Sequence, residues 1–251
     1  MSQPLISIIT ITYNAAAVLE PTMRSVACQT FTDYENIIVD GASTDSTLDV
    51  ARSLATPRLR IVSEPDKGLY DAMNKGLRLA RGKYILFLNA GDAFHSPDIL
   101  SLYAEAASAD PDIIYADTLI VDSGRRVIGP RHLSAPERLT RRSFSKGMLI
   151  CHQAFMVRRL LAPEYDTAYR FSADYDWTVK CIGKTEPARC VNLHTVAIDY
   201  LADGTTDRNK MRSLRERFRI MCRHYGPFAT LANHAAFAFR AVGRKLKGGK
   251  I

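Results

Sequence analysis

The sequence predicts an α/β protein built on a doubly wound, mostly parallel sheet, with a small antiparallel part and a basic helical tail. Three observations carry this expectation. The first hundred residues alternate β-branched apolar runs with helix-length amphipathic stretches, the pattern of repeated strand–helix–strand units. The stretch "TLIVDSGRRVIG" alternates about Asp122, Ser123 and Gly124, as an antiparallel hairpin would. The formal charge of +8 is concentrated at the end: residues 205–251 hold 12 Lys/Arg against 2 Asp/Glu, and residues 1–204 hold 22 against 24.

The elements follow in order. Leu5–Thr12 is a strand, Ala15–Gln29 a helix with Asn14 near its start, and Tyr34–Asp40 a second strand. Thr44–Leu54 is a helix with Asp45 in its first turn, and Leu59–Ser63 a third strand. Leu69–Arg81 is a helix whose buried face is Leu69, Met73, Leu77 and Ala80, and Tyr84–Leu88 is the fourth strand. A helix follows Pro97 as far as Ser108, then a strand over 112–117 and the hairpin. Residues 130–147 are basic and turn-rich, a loop over the site. "CHQAFMV" reads as a strand beginning at His152 and Gln153, "SADYDWTVKCIG" as a helix, and "ARCVNLHTVAIDYLADG" as a late strand. From Thr206 the pattern is helical.

A chain of 251 residues with 47% hydrophobic content can bury one large domain with a small appendage. The five cysteines are scattered without C-x-x-C spacing, which argues against a disulfide framework or a zinc site and for a cytoplasmic protein. No basic n-region precedes the short apolar start, and no run reaches the roughly 18 apolar residues of a membrane span. Because the body is near neutral, a global nucleic-acid coat is not expected.

Open parallel sheets bind ligands beyond the carboxyl ends of their strands. Here those ends carry Thr12, Tyr13 and Asn14, then Asp40, then Glu64 to Asp66, then Asn89 and Asp92. The first turn, "TYNAAA", has no glycine, so neither a dinucleotide fingerprint nor a P-loop is present. Carboxylates hold phosphates only through a divalent cation, and hard oxygen ligands suit Mg²⁺ or Mn²⁺. Asp92, at the mouth of the apolar "YILFL" run, is therefore the candidate metal ligand; the bland reading is a turn or helix cap.

The segments "SIITITYNAAAVLEPTMRSVACQTF", "IIVDGASTDST", "EPDKGLYDAMNKGLRLARGKYILFLNAGD" and "SADYDWTVK" resemble the inverting glycosyltransferases of family 2, which have the GT-A fold. The resemblance is dense over 4–100 and looser over 150–205. It implies a catalytic domain over 1–204, with a nucleotide-sugar-binding half (1–100) and an acceptor-side half (101–204), followed by the tail at 205–251. It implies that Thr12 and Tyr13 border the nucleotide base, that Asn14 belongs to the donor site, that Asp40 contacts the base or ribose, and that Asp66 and the following Lys67 and Gly68 line the nucleotide pocket. It also places Asn89, Ala90 and Gly91 along the donor and Asp92 on the metal, although many members carry Asp where this chain has Asn89 and Gly91. Asp174 matches the general base that deprotonates the acceptor hydroxyl. Asp176, two residues on, points to another face and is read as an orienting residue or an exposed helix acid.

Weaker candidates complete the set. Asp71 and Asn74 share a helical face, and Asn74 is read as a donor contact. His152, Gln153 and Asp176 are acceptor-side candidates, with a satisfied core histidine as the bland reading of His152; Trp177 is read as core. In the tail, Phe228, Leu231, Ala235, Phe239, Val242 and Leu246 recur at helical spacing beside Arg240, Arg244 and Lys247. That helix either packs on the body or attaches to an anionic membrane surface, where each basic residue adds about 1 kcal/mol. The second reading puts the protein on the inner face of the cytoplasmic membrane, near a polyprenyl-diphosphate-linked acceptor.

The resulting expectation is transfer of a sugar from a nucleotide-diphosphate donor, UDP-hexose first, to a hydroxyl of a growing glycan. A sugar nucleotidyltransferase would want a Gly-rich basic loop near the N-terminus, which is missing. A non-catalytic nucleic-acid-binding protein would bind through residues 205–251 alone.

Overall fold

The computed structural model describes residues 3–202 and 210–234. A nine-stranded sheet runs through it. Its strands are β1 (Ile6–Thr12), β2 (Tyr34–Asp40), β3 (Leu59–Ser63), β4 (Tyr84–Phe87), β5 (Ala93–Phe94), β6 (Ile113–Val121), β7 (Val127–Pro130), β8 (Phe155–Arg158) and β9 (Cys190–Leu201). The order is β3-β2-β1-β4-β8-β6-β9-β5, with β7 paired to β6. The first four strands are parallel, β8 lies antiparallel between β4 and β6, and β6 and β9 are parallel. The mostly parallel half with an antiparallel insertion is the architecture the sequence predicts.

The helices are α1 (Ala16–Ala27), α2 (Thr47–Ser53), α3 (Leu69–Leu79), α4 (Ile99–Ala107), α5 (Ala173–Ile182) and α6 (Lys210–Tyr225). A further helix runs from 227 through 234. They cover both faces because β4 is apolar on both. Ile85 and Phe87 enter one core with Met73 of α3 and Trp177 of α5, while Tyr84 and Leu86 enter the other with Leu100 and Tyr103 of α4. The order in which strands are added to the sheet reverses between β1 and β4, which lie side by side and parallel, so the carboxyl ends of these two neighbours flank the expected crevice.

Several expectations shift. α2 begins at Thr47, not Thr44, because Asp45 sits before the helix and accepts hydrogen bonds from Thr47 N (3.0 Å) and from Ala16 N of α1 (3.2 Å). Leu69 is exposed at the first turn of α3. Strand β6 runs nine residues through "TLIV" before the hairpin turn. His152–Ala154 form a 3₁₀ turn and β8 starts only at Phe155. The expected loop at 130–147 contains a 3₁₀ turn, Arg141–Lys146, with a Thr140/Ser143 capping box. Strand β5 was not anticipated; two residues suffice because Ala93 and Phe94 pair with Asp199 and Ile198 of β9. The tail pattern beyond 234, with Ala235, Phe239, Arg240, Val242, Arg244, Leu246 and Lys247, lies outside the described residues. Among the described residues no helix is long and apolar enough to cross a membrane.

Candidate active site

The end of β2 is a saturated carboxylate. Asp40 is fully buried, and burial pushes its pKa up. Hydrogen bonds outweigh burial: Ser43 Oγ (2.5 Å) and Thr12 Oγ1 (3.0 Å) donate to Oδ1, and Ser43 N (2.9 Å) and Ser63 Oγ (2.7 Å) to Oδ2. The net result is a carboxyl held below its usual range. Asp40 thus ties the ends of β1, β2 and β3 together. Asn14, at φ +48°, stitches the same loops: its Oδ1 accepts from Thr44 N (2.9 Å) and its N donates to Ser43 Oγ (2.9 Å).

Beside this anchor, Tyr13 stands exposed. Its ring and the Asp66 carboxylate both crowd Gly41, where a Cβ would collide with Asp66 Oδ2 and lie 3.3 Å from Tyr13 Cδ2. Tyr13, Gly41 and Asp66 therefore form one wall. Asp66 Oδ1 accepts from Gly68 N (2.8 Å), which fixes the entry to α3. Lys67 is exposed, and its backbone N donates to Asp71 Oδ2 (2.9 Å), so Asp71 serves the start of the helix. Asn74 does not offer a free amide to a donor. Its Nδ2 donates to Tyr165 O (3.0 Å) and its Oδ1 accepts from Tyr165 N (2.7 Å), a two-point clamp on a distant loop.

Asn89, Ala90 and Gly91 lead from β4 into a tight turn in which Asp92 N donates to Asn89 O (3.0 Å). The Asp92 carboxyl is buried, and loss of water pushes its pKa up to about 7. Leu201 N donates to its Oδ1 (2.9 Å) and Gln153 Nε2 to its Oδ2 (2.8 Å), which partly offset the burial. Gln153, read from sequence as acceptor-side, is thus a holder of Asp92, and Cys151 Sγ in turn donates to Gln153 Oε1 (2.8 Å). Gly91 has φ +99°, and a Cβ there would lie 2.8 Å from Leu201 Cδ2. Any side chain here would meet both the positive φ and Leu201, which the glycine avoids.

For a divalent cation the oxygen inventory is small. Among the described residues there is no cluster of three His, Cys, Asp or Glu side chains. Asn89 Oδ1 is nevertheless a buried oxygen with no hydrogen-bond partner, three positions before Asp92. One carboxylate and one amide oxygen fit an ion that takes its other ligands from phosphates and water, as Mg²⁺ usually does.

The two acids of α5 diverge. Asp174 is half-buried and accepts from the Tyr70 hydroxyl (3.3 Å). Asp176 is fully buried, which corrects the reading of it as an exposed acid. Burial pushes its pKa up, but His224 Nε2 at 2.7 Å from Oδ1 and Lys180 Nζ at 2.6 Å from Oδ2 hold it below the usual range. His152 is a satisfied core histidine: its Nε2 shares a 2.6 Å hydrogen bond with the Tyr165 hydroxyl, and burial pulls its pKa down to about 4. Trp177 is core as expected, stacked on Tyr165 at 5.0 Å, with Nε1 donating to Pro163 O (2.7 Å).

Sequence reasoning missed four residues here. Gly41 was visible beside Asp40 in "VDGAST", but its crowding needed Asp66 in place. Arg125, in the hairpin turn at φ +64°, donates from Nη1 to Gly91 O (2.7 Å) and so braces the Asp92 turn. Tyr70 and Tyr165 carried no local signal, because both act across the chain.

Comparison with known proteins agrees with this architecture. The family model "Glycosyl transferase family 2" matches residues 7–164. A "PGL/p-HBAD biosynthesis glycosyltransferase" of Mycobacterium bovis is 38% identical over 234 residues, 88% of each chain. S. aureus TarS in complex with UDP-GlcNAc superposes with a TM-score of 0.75 at 19% identity, covering 97% of this chain and 76% of that one. A mannosyltransferase from Pyrobaculum calidifontis, in complex with GDP-Man and Mn²⁺, superposes at 0.65 with 18% identity, covering 100% of this chain and 82% of that one. The last two likenesses are of fold, and that fold is GT-A. The extent of the family match and the identity to the mycobacterial enzyme establish that the chain belongs to glycosyl transferase family 2 and is a glycosyltransferase.

Proposed function

We propose that this enzyme moves a sugar from a nucleotide-diphosphate donor, a UDP-hexose first, to a hydroxyl of a growing glycan or lipid-linked oligosaccharide, with inversion at the anomeric carbon. The observation that carries the reading is the convergence of Tyr13, Gly41 and Asp66 into one wall at the carboxyl edge of the sheet, with the Asp92 turn on the neighbouring strand end. The names of the mycobacterial relative and the UDP-GlcNAc complex of TarS support a role in glycolipid or polysaccharide biosynthesis.

In this reading the nucleoside lies against Tyr13 and Asp66, and Asp40 holds the pocket floor through Ser43 and Ser63. Lys67, which makes no ion pair among the described residues, is available to the donor's phosphates. Asp92, with Asn89 Oδ1, would hold a Mg²⁺ or Mn²⁺ ion, and the Mn²⁺ complex of the Pyrobaculum enzyme supports that choice. Such an ion supplies Lewis acidity at the diphosphate. Asp174 takes the proton of the acceptor hydroxyl. The hydroxyl oxygen bonds to the anomeric carbon as the bond to the diphosphate breaks, and the nucleoside diphosphate leaves with the electron pair. The basic amphipathic pattern that begins at Phe228 is read as contacting an anionic inner-leaflet surface near the acceptor, while Ser213, Glu216 and His224 face the start of α5.

The test is a donor panel of UDP-, GDP- and dTDP-sugars with detection of released nucleoside diphosphate, run on wild type and Asp174→Asn. The expected result is turnover with at least one UDP-hexose, and a loss of about 10²–10⁴-fold in Asp174→Asn with nucleotide binding retained. No release from any donor, or undiminished turnover in the variant, overturns the reading.

A further inference from the structure

Helix α6 reaches the front of α5 in a way the family-matched segment does not include. The Glu216 carboxylate accepts three consecutive backbone N–H groups: Arg170 N (2.9 Å) on Oε1, and Phe171 N (2.7 Å) and Ser172 N (3.1 Å) on Oε2. Ser172 is the N-cap of α5, yet its own side chain makes no capping bond. Its hydroxyl turns to α6 instead, donating to Ser213 O (3.2 Å) and sharing a 3.0 Å bond with Ser213 Oγ. The N–H groups leading into α5 thus find their acceptor on another helix. A carboxylate at that end also suits the helix dipole.

Asp174 lies two residues beyond Ser172 and two before Asp176, whose carboxylate is bonded to His224 of α6. The candidate base therefore sits on a short stretch of backbone fastened to α6 on both sides. On the upstream side of the loop, Tyr165 is clamped by Asn74. Loop and helix start are held by partners far away in sequence, and Glu216 is the one that takes the backbone N–H groups just ahead of Asp174.

We propose that Glu216 is a positioning residue of the transfer reaction: by gathering the backbone N–H groups of 170–172 it sets the direction in which α5 presents Asp174 to the acceptor hydroxyl. This rests on the reading of Asp174 as the base. Residues gathered in this way matter because a displacement of about 1 Å at a reacting group can cost about 10²-fold in rate.

The experiment measures release of nucleoside diphosphate from UDP-glucose, UDP-GlcNAc or GDP-mannose, with an alkyl glycoside or water as acceptor, beside calorimetric binding of UDP and thermal melting. Glu216→Ala is expected to lower kcat by about 10–100-fold while donor KM and UDP affinity stay within about twofold. Glu216→Gln keeps one acceptor oxygen but opposes an N–H with its amide, so it should fall between the two. Arg223→Ala, which removes the weaker 3.5 Å contacts of the same helix to Asp166 and Tyr169, should lower the melting temperature yet leave kcat within about twofold. In an Asp174→Asn background, Glu216→Ala should cost no further kcat, because it acts through Asp174. A fall in melting temperature with kcat unchanged in both Glu216 variants makes the clamp purely structural and overturns the proposal. So does a full additional loss in the double variant. If Glu216→Ala does not fold, Glu216→Gln decides by the same kcat criterion. Undiminished turnover in Asp174→Asn alone instead rejects the base assignment, whatever Glu216 does.

Discussion

Gln153 Nε2 donates to Asp92 Oδ2 across 2.8 Å, joining two buried side chains 61 residues apart in the chain. Asp92 carries a burial penalty that this bond reduces. In Gln153→Ala the penalty stays and the bond goes, so the carboxyl is ionised less at neutral pH. Partners of this kind commonly contribute about 10–100-fold to metal affinity. Titration of UDP with and without Mn²⁺ should show a loss of that size in the metal-assisted part alone, and Asp92→Ala should remove that part entirely. Equal Mn²⁺ enhancement in wild type and both variants would show that the ion sits elsewhere.

Asp40→Ala should cost stability as well as nucleotide binding. It strands Thr12, Ser43 and Ser63, whose donors now face an empty buried space. Hydrogen bonds to a charged group contribute about 1.5–3 kcal/mol each and are not additive, so a net loss of about 2–4 kcal/mol is expected in denaturant melts. UDP affinity should fall with it. A variant as stable as wild type would mean that the loops close equally well without the carboxylate.

Gly91→Asp adds a second carboxyl beside Asp92, yet it should not improve Mn²⁺-dependent binding. The residue must adopt φ +99° and its Cβ would press on Leu201 Cδ2. Strain of this type costs about 1–3 kcal/mol. Leu201 also supplies an N–H to Asp92, so pushing it aside disturbs the hydrogen bond that holds this carboxyl. Lower thermal stability and weaker Mn²⁺-dependent UDP binding are expected together; tighter binding would refute the argument.

Asn74→Ala should act on the acceptor side, although Asn74 lies in the half of the chain that the sequence assigns to the nucleotide sugar. It leaves Tyr165 N and O buried without partners, at a cost of about 1–3 kcal/mol for each unsatisfied group. The loop that leads to α5 loosens, so kcat should drop more than UDP affinity. A selective loss of UDP affinity would restore Asn74 to the donor site.

His152 sets an acid limit. Burial holds it neutral in the folded protein down to about pH 4, against an ordinary value near 6.5. Between these values the unfolded chain binds the extra proton, so the stabilisation present above pH 6.5 is lost as pH falls toward 4. His152→Gln can still bond the Tyr165 hydroxyl but does not titrate. Its melting temperature should fall less than that of wild type between pH 7 and 4.5; parallel curves would remove His152 as the cause.

The sequence by itself determined the parallel half of the sheet, because buried strands and amphipathic helices write their periods locally: β2 and β3 fall where the pattern puts them. It also located the polar strand ends, since the carboxyl edge follows from chain direction alone. Only the tertiary structure decided what each polar side chain does. Asn74 and Asp71 share a helix face, yet one clamps Tyr165 and the other returns to Lys67. Gln153 and Asp176 looked like acceptor contacts, yet one holds Asp92 and the other holds His224 and Lys180. The physical reason is the range of the interactions: periodicity is a property of neighbouring residues, whereas a hydrogen bond forms with whatever the fold brings within about 3 Å. Glu216 is the extreme case: it stands out in "SLRERFRI" as an acid among arginines, but what it holds is visible only once α6 is laid across the start of α5.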